Sequence, residues 1–345
     1  MNNMYIDKTY QGKTILVTGG AGAIGSNLVK KLSELKAKTV IVLDNMVAGH
    51  QWALPQNKNV LLVKGDINDD IMLKRVFAES PSIVFHLAAF FANQNSVDYP
   101  EKDLSTNGMG TLKLLEYSNL TKVDRFVYGS SGCSIYGKEA PLPLTEEFMS
   151  LNLSSPYQIT KMLGEVYCNF YKAHYGLKTV KARFFNSYGP GEVPGQYRNV
   201  IPNFIYWALK GLPLPITGDG NQTRDFTYVG DLINGLLAAG LEDQAIGEEF
   251  NLAAGREIKI GELATMINER TGNKAGIKTI PKRVWDTKTR LLASVEKAKN
   301  LIGYEPKTSF EEGLDEAVKW FKENWDEIDR SHSFLPGASS AHRES

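Results

Sequence analysis

A short β-branched run that stops on a glycine-rich turn constrains this chain more than any other feature. Thr14-Ile15-Leu16-Val17-Thr18 has the composition of a buried strand, and Gly19-Gly20-Ala21-Gly22-Ala23-Ile24-Gly25 follows without a break. Apolar residues then recur at Ile24, Leu28 and Leu32, the pattern of a helix that buries one face. Strand, turn and helix in that order suit a dinucleotide site, because glycines let the backbone turn tightly and let the helix start approach a diphosphate. The spacing, Gly19-x-x-Gly22-x-x-Gly25, departs from the commoner G-x-G-x-x-G, and a turn that merely links strand to helix is the alternative reading.

A second strand, Thr39 to Leu43, ends in Asp44, 19 residues beyond Gly25, where an acidic residue accepts hydrogen bonds from an adenosine ribose. That favours NAD over NADP: Asp44 repels a 2′-phosphate, and Asn45 to Gly49 offer no Arg or Lys to receive one. Capping the following turn is the other reading of Asp44.

Further strand candidates alternate with helical segments. Val60 to Val63 leads to Gly65-Asp66-Ile67, Ile83 to Leu87 leads to Ala88-Ala89, and Arg125 to Tyr128 leads to Gly129-Ser130-Ser131. A helical stretch from Leu104 to Ser118 precedes one that carries Tyr157 and runs to Phe170, and a strand from Thr179 to Phe185 comes next. The alternation predicts an α/β, doubly wound parallel sheet of Rossmann type. Its ligands bind beyond the carboxyl ends of the strands, so the small and polar residues after each strand would line one crevice. Tyr157 and Lys161, four apart on a helix, would share a face, and a cation beside a phenol lowers its pKa. An exposed pair is the alternative for those two residues.

Seven segments together carry a resemblance: Thr18 to Gly25, Gly65-Asp66-Ile67, His86-Leu87-Ala88-Ala89, Asn107 to Thr111, Tyr157-x-x-x-Lys161, Arg183 to Asn186 and Arg224 to Val229. In order and spacing they resemble the extended short-chain dehydrogenase/reductases that process nucleotide sugars, the group of UDP-glucose 4-epimerase-like enzymes, over roughly residues 12 to 325. The resemblance implies NAD held by the Gly19–Gly25 turn with Ala23 and Ile24, by Asp44 and Asn45 at the ribose, and by Asp66 and Ile67 at the adenine. It implies further contacts at Leu87, Ala88 and Ala89, and at Asn107 within an inner polar network. Lys161 would bind the nicotinamide ribose while lowering the pKa of Tyr157, and backbone around Phe185 would meet the nicotinamide amide. For the nucleotide sugar, taken as UDP-linked, the implied contacts are Asn186, Asn199, Arg224, Arg283, Asp286 and Arg290; for the arginines, a solvated surface charge is the alternative. At Arg290 a cation near the sugar C2 would read a uronate.

One position departs from the family. Relatives place Ser or Thr four residues before the Tyr of the segment Ser130 to Gly137; here that position is Gly132. The missing hydroxyl is expected from Ser131 or Ser134; water and no replacement at all are the alternatives. Dehydratases of this group carry Asp-Glu where Cys133 and Ser134 stand, and the uronate decarboxylases a Glu at Ser134; neither carboxylate is present. The expected reaction is therefore 4-epimerisation of a UDP-hexose or UDP-uronate through a 4-keto intermediate. A 4,6-dehydratase or decarboxylase and a weakened NAD-binding sensor or scaffold are the alternatives.

Composition narrows the classes further. A chain of 345 residues with 42% hydrophobic content can bury a large core, and 39 basic against 39 acidic residues give no nucleic-acid surface. No apolar stretch reaches the ~18 residues of a membrane span. Two cysteines argue against a disulfide framework, and the histidines have no metal-ligand spacing. His86 is expected to pack, and the location expected is cytoplasmic. The expected division is an NAD-binding domain at 1–186, a smaller C-terminal α/β substrate lobe at 187–330 interleaved with it, and a disordered tail at 331–345. Paired helices around Leu104–Ser118 and Tyr157–Phe170 imply, by the family resemblance, a homodimer.

Overall fold

Segments rich in β-branched and aromatic residues form the strands β1 (Thr14–Thr18), β2 (Thr39–Asp44), β3 (Val60–Lys64), β4 (Ile83–His86), β5 (Arg125–Ser131) and β6 (Thr179–Phe184), in a computed structural model that describes residues 9–281 and 288–334. With a seventh strand, Glu249–Leu252, they build one sheet in the order Glu249–Leu252, β6, β5, β4, β1, β2, β3. Every pairing in it is parallel. From β1 the chain builds outward to β2 and β3, then returns to place β4 on the other side of β1. The crevice beyond the ends of β1 and β4 is thus the switch point at which such sheets bind ligands.

Both faces of the sheet are covered, which is why its strands are almost continuously apolar. On one face Leu28 and Leu32 of helix Ala23–Glu34 and Leu232 and Leu236 of helix Val229–Leu241 pack against Ile15, Val17 and Val40. On the other, helices Asp70–Ala78, Thr111–Leu120 and Pro156–Tyr175 bury Leu73, Leu114, Leu115 and Cys168 on Leu16, Val84 and Phe126. The smaller lobe has its own core, where Phe204, Leu263, Leu314 and Phe321 of three helices meet. A parallel pairing of Leu214–Thr217 with Ile277–Ile280 belongs to it.

The helix Val229–Leu241 and the strand Glu249–Leu252 follow residue 187 yet complete the main sheet and its core. The stretch expected as one helix from Leu104 begins as a π-helix over Leu104–Gly110 and becomes α-helical at Thr111–Leu120; such widened turns are frequent at functional sites. The expected tail is folded in its first part. Ser331 closes the helix Trp325–Ser331, Gln196 N donates to Ser333 O at 3.1 Å, and the Phe334 ring packs at a tilt against Tyr206 and Trp207. Apolar packing of Phe334 overrides the polar composition on which disorder was expected; residues 335–345 lie outside the described residues.

Candidate active site

A cavity of about 520 Å³ opens at the switch point. Its floor is the glycine turn. Gly19 has φ +68°, and a Cβ there would lie 2.6 Å from Ala88 N; a Cβ on Gly25 would lie 2.2 Å from Gly19 O. Those two glycines let the turn, the end of β4 and the start of helix Ala23–Glu34 touch. Gly22 caps that helix without a side chain, so its first N–H groups have no side-chain acceptor and Gly22, Ala23 and Ile24 face the cavity. A backbone-lined cradle at a helix N-terminus, beside an acid at the end of β2, fits NAD.

The capping reading of Asp44 is the one seen directly. Its oxygens accept from Ala21 N (3.0 Å) and Met46 N (2.8 Å), which caps the turn, while the carboxylate still lines the cavity. Asn45 Nδ2 donates to Asp66 Oδ2 at 3.1 Å, and Asp66, Ile67, Leu87, Ala88 and Ala89 complete this end of the wall.

At the opposite end stands the helix Pro156–Tyr175. Ser155 caps it, accepting from Gln158 N and donating to Asn93 Oδ1 at 2.7 Å, and Pro156 occupies its first turn. Tyr157 and Lys161 therefore point together into the cavity, 5% and 4% exposed. Lys161 Nζ donates to Gly129 O at 2.8 Å and lies 5.8 Å from the Tyr157 ring centroid. Burial pulls the ammonium down to about 8, opposed by Asp103 and Glu165. The phenol departs from expectation. Burial drives its pKa well above the usual tyrosine value, a hydrogen bond with Ser131 works against that, and Cys133 and Asp103 add to the rise. Loss of water is the largest of these effects.

Ser131 and Ser134 both line the cavity and their hydroxyls bond at 3.0 Å, Ser131 being the one hydrogen-bonded to Tyr157. Gly132 between them is explained by Phe185: a Cβ there would lie 1.9 Å from Phe185 Cε2. Phe185 itself is fully buried and outside the cavity, while Phe184 and Asn186 line it, so the wall here is made by its two neighbours. Asn107 also stands behind the wall. Its Oδ1 accepts from Phe90 N (2.8 Å) and its Nδ2 donates to Phe90 O (3.1 Å) and Asp103 Oδ1 (2.8 Å), which holds the lining residue Phe90 in place.

Of the substrate residues, Asn186 and Asn199 reach the cavity. Asn199 Nδ2 donates to Glu192 Oε1 at 3.0 Å, and Asn186 Nδ2 to Asp225 O at 2.9 Å. Arg224 is not on the wall: its Nη1 donates to Thr223 O at 2.8 Å, and its charge is felt by Cys133 and Lys288. Arg290 is a correction. It is exposed, away from the cavity, and held by Glu257 at 2.5 Å, because a nearby surface carboxylate satisfies its fork. Arg283 and Asp286 lie outside the described residues.

The sequence reading missed Glu192, Arg198, His50, Phe91, Ser331 and Ser333, all on the wall, and Lys288, whose Nζ donates to Cys133 O at 3.0 Å. Arg198 directly precedes Asn199, which was its one available signal. His86 packs as expected, between Thr18 and Thr111 hydroxyls, and burial takes it down to about 3. Among the described residues no group of His, Cys, Asp and Glu could hold a metal ion. A buried phenol, a hydroxyl pair and an ammonium at one end of a dinucleotide cradle are equipped to move a proton on an oxygen whose carbon exchanges hydride.

Comparison with known proteins agrees. The NAD dependent epimerase/dehydratase family profile matches residues 15–253. A solved epimerase of Methanothermobacter thermautotrophicus is 55% identical with a TM-score of 0.95, covering 96% of this chain and 98% of that one. The UDP-glucose 4-epimerase of Thermotoga maritima, solved with UDP-glucose, is 37% identical with a TM-score of 0.85, covering 90% and 99%. The UDP-glucose 4-epimerase of Mycolicibacterium smegmatis is 34% identical over 310 residues, 89% of this chain and 98% of that protein.

Proposed function

The chain belongs to the NAD dependent epimerase/dehydratase family, and from that premise we propose that it is a nucleotide-sugar 4-epimerase of the UDP-hexose or UDP-uronate class. The observation that carries the choice within the family is the distribution of carboxylates. Among the described residues those lining the cavity are Asp44, Asp66 and Glu192, and Cys133 and Ser134 share the wall with Tyr157. An elimination across C5 and C6 needs an acid and base in addition to Tyr157; among the described residues this end of the cavity has no carboxylate to supply them. Cys133 does not substitute, since burial holds its thiol up at about 11.

The Gly19–Gly25 turn and Asp44 would hold NAD, which would supply the hydride acceptor and donor for oxidation and re-reduction at the sugar C4. Tyr157, as the phenolate that Lys161 and the positive charge of a bound nicotinamide would favour, would take the 4-hydroxyl proton and later give it back. Ser131, bonded to the phenol, orients it and offers a hydroxyl to the substrate oxygen in the role that Gly132 leaves open. Lys161 is fixed by Gly129 O, so its remaining donors reach toward the ribose end of the cofactor. Asn186 and Asn199 would grip the nucleotide and leave the sugar free to turn.

A homodimer belongs to the same proposal. Ile159, Val166 and Phe170 of helix Pro156–Tyr175 and Leu104 of the preceding π-helix are large apolar residues about half exposed, an apolar surface of the kind that marks an interface. A cytoplasmic location is the further expectation, supported by the unpaired Cys133 and Cys168. The deciding experiment incubates purified protein with UDP-sugars, without added NAD, and resolves the C4 epimers. Interconversion is expected. No epimer from any hexose, hexosamine or uronate would remove the reading, and a 4-keto-6-deoxy product or carbon dioxide would replace it with dehydration or decarboxylation.

A further inference from the structure

The loop between Asn186 and Asn199 crosses the mouth of the glycine cradle and brings an arginine to it. It lies directly on the helix start. Asn27 Nδ2 donates to Pro190 O at 2.8 Å, and a Cβ on Gly191 would lie 3.1 Å from Ala23 O. The far end of the loop is fixed too: Asn203 clamps Gly195 through N (2.9 Å) and O (3.0 Å), and Gln196 N donates to Ser333 O at 3.1 Å.

Arg198 projects from that fixed segment to the cavity wall, where Nη2 donates to Ala48 O at 2.9 Å. Its charge is felt by His50, and it feels Glu192 and Asp44 in turn. Glu192 is 5% exposed and held by Asn199, so it cannot swing away from this cluster. A guanidinium carries five N–H donors, and the hydrogen bond to Ala48 O uses one of them, at a cavity wall shared with Asp44, Gly22 and Ala23. Planar donors at that place suit a diphosphate, which takes bidentate, charge-assisted bonds.

We propose that Arg198 is a positioning residue for the dinucleotide, binding its diphosphate from the side opposite the glycine turn, with Ala48 O and Glu192 setting the guanidinium's orientation. This rests on the NAD reading of the cavity and adds to it a contact from a loop about 150 residues away from Asp44 in sequence. The clamp closes the cofactor between two elements and so slows its release during turnover.

The test measures binding of NAD, ADP and adenosine to wild-type protein stripped of nucleotide, to Arg198→Met and to Arg198→Lys. NAD and ADP are expected to weaken roughly 10- to 100-fold in Arg198→Met, while adenosine, which has no phosphate, is unchanged. Arg198→Lys should recover part of the loss, since a point charge replaces the fork. Equal loss for adenosine, or no loss for ADP, overturns the proposal. Wild-type protein that binds neither NAD nor ADP overturns instead the NAD reading beneath it. In the epimerase assay with saturating NAD added, Arg198→Met should regain kcat; a loss of kcat that NAD does not restore counts against a role in cofactor positioning.

Discussion

The ring of Phe185 fills the space that a side chain on Gly132 would need, with Cε2 only 1.9 Å from the Cβ position. Phe185 is fully buried against Tyr136 and its neighbours, so the ring has nowhere to retreat. Putting back the hydroxyl residue that relatives carry, as Gly132→Ser, is expected to destabilise the fold by about 2 kcal/mol by overpacking and not to raise activity. Thermal or urea unfolding checks it. In a Phe185→Leu background the same change should cost at least about 1 kcal/mol less; additivity of the two would mean that the contact does not set the residue at 132.

With Gly132 closed off, the two serines divide the work unequally. Ser131 is bonded to Tyr157, whereas Ser134 is bonded to Ser131. Ser131→Ala should lower kcat roughly 100-fold, the scale of a removed donor at a reacting oxygen. Ser134→Ala should lower it less than tenfold, since it acts through Ser131. The reverse order in steady-state rates would assign the missing hydroxyl to Ser134.

What was legible in the sequence was local. A β-branched run, a glycine turn and an apolar stripe each report their own conformation, so β1, the cradle and Tyr157 with Lys161 could be placed from residues a few positions apart. The phenol's pKa could not, because burial, its largest cause, is a property of the whole fold. Nor could Arg198 beside Asp44, Phe185 in the space of Gly132, or Ser333 on Gly195, each joining segments with no shared pattern. The strand Glu249–Leu252 is four residues long and carries two polar ones, too little signal for a strand without its partner β6.

Glu192 makes stability depend on pH. Burial lifts its carboxyl from the ordinary 4.5 to about 7, with Arg198 and Asn199 opposing. Between those values the native chain holds a proton that the unfolded chain has released, so stability falls as pH rises from about 4.5 through 7 and is level on either side. Glu192→Gln should lack that fall and gain roughly 3 kcal/mol over wild type at pH 8 relative to pH 4. Asp225, raised to about 6 by burial, slopes the same way in both proteins, so the difference between their denaturation curves is the quantity to read. A difference that does not change with pH would mean that Glu192 ionises normally.

The exposed apolar face predicts its own failure. Val166 and Phe170 lie four apart on helix Pro156–Tyr175, 50% and 48% exposed. Val166→Glu with Phe170→Glu should give a monomer by light scattering at micromolar concentration, with unchanged far-ultraviolet circular dichroism, because neither side chain supports the core. Wild-type protein that is already monomeric would leave the dimer without support.

Tyr157 and Lys161 provide the last test, since each is shifted against its own charge. With the phenol raised by burial, nucleotide-stripped protein should show no Tyr157 phenolate up to pH 10, read as the ultraviolet difference between wild type and Tyr157→Phe. Lys161, depressed from 10.5 to about 8, weakens the native state wherever it stays charged. The unfolded chain binds the extra proton between those values, so wild-type stability should rise with pH across 8 to 10.5 relative to Lys161→Met. Turnover should fall in the same variant by roughly 100-fold or more, as the base loses the ammonium one turn along its helix. A phenolate already present at pH 7 in the stripped protein would return the pair to the reading that spacing alone suggests, with the cation dominant and burial secondary.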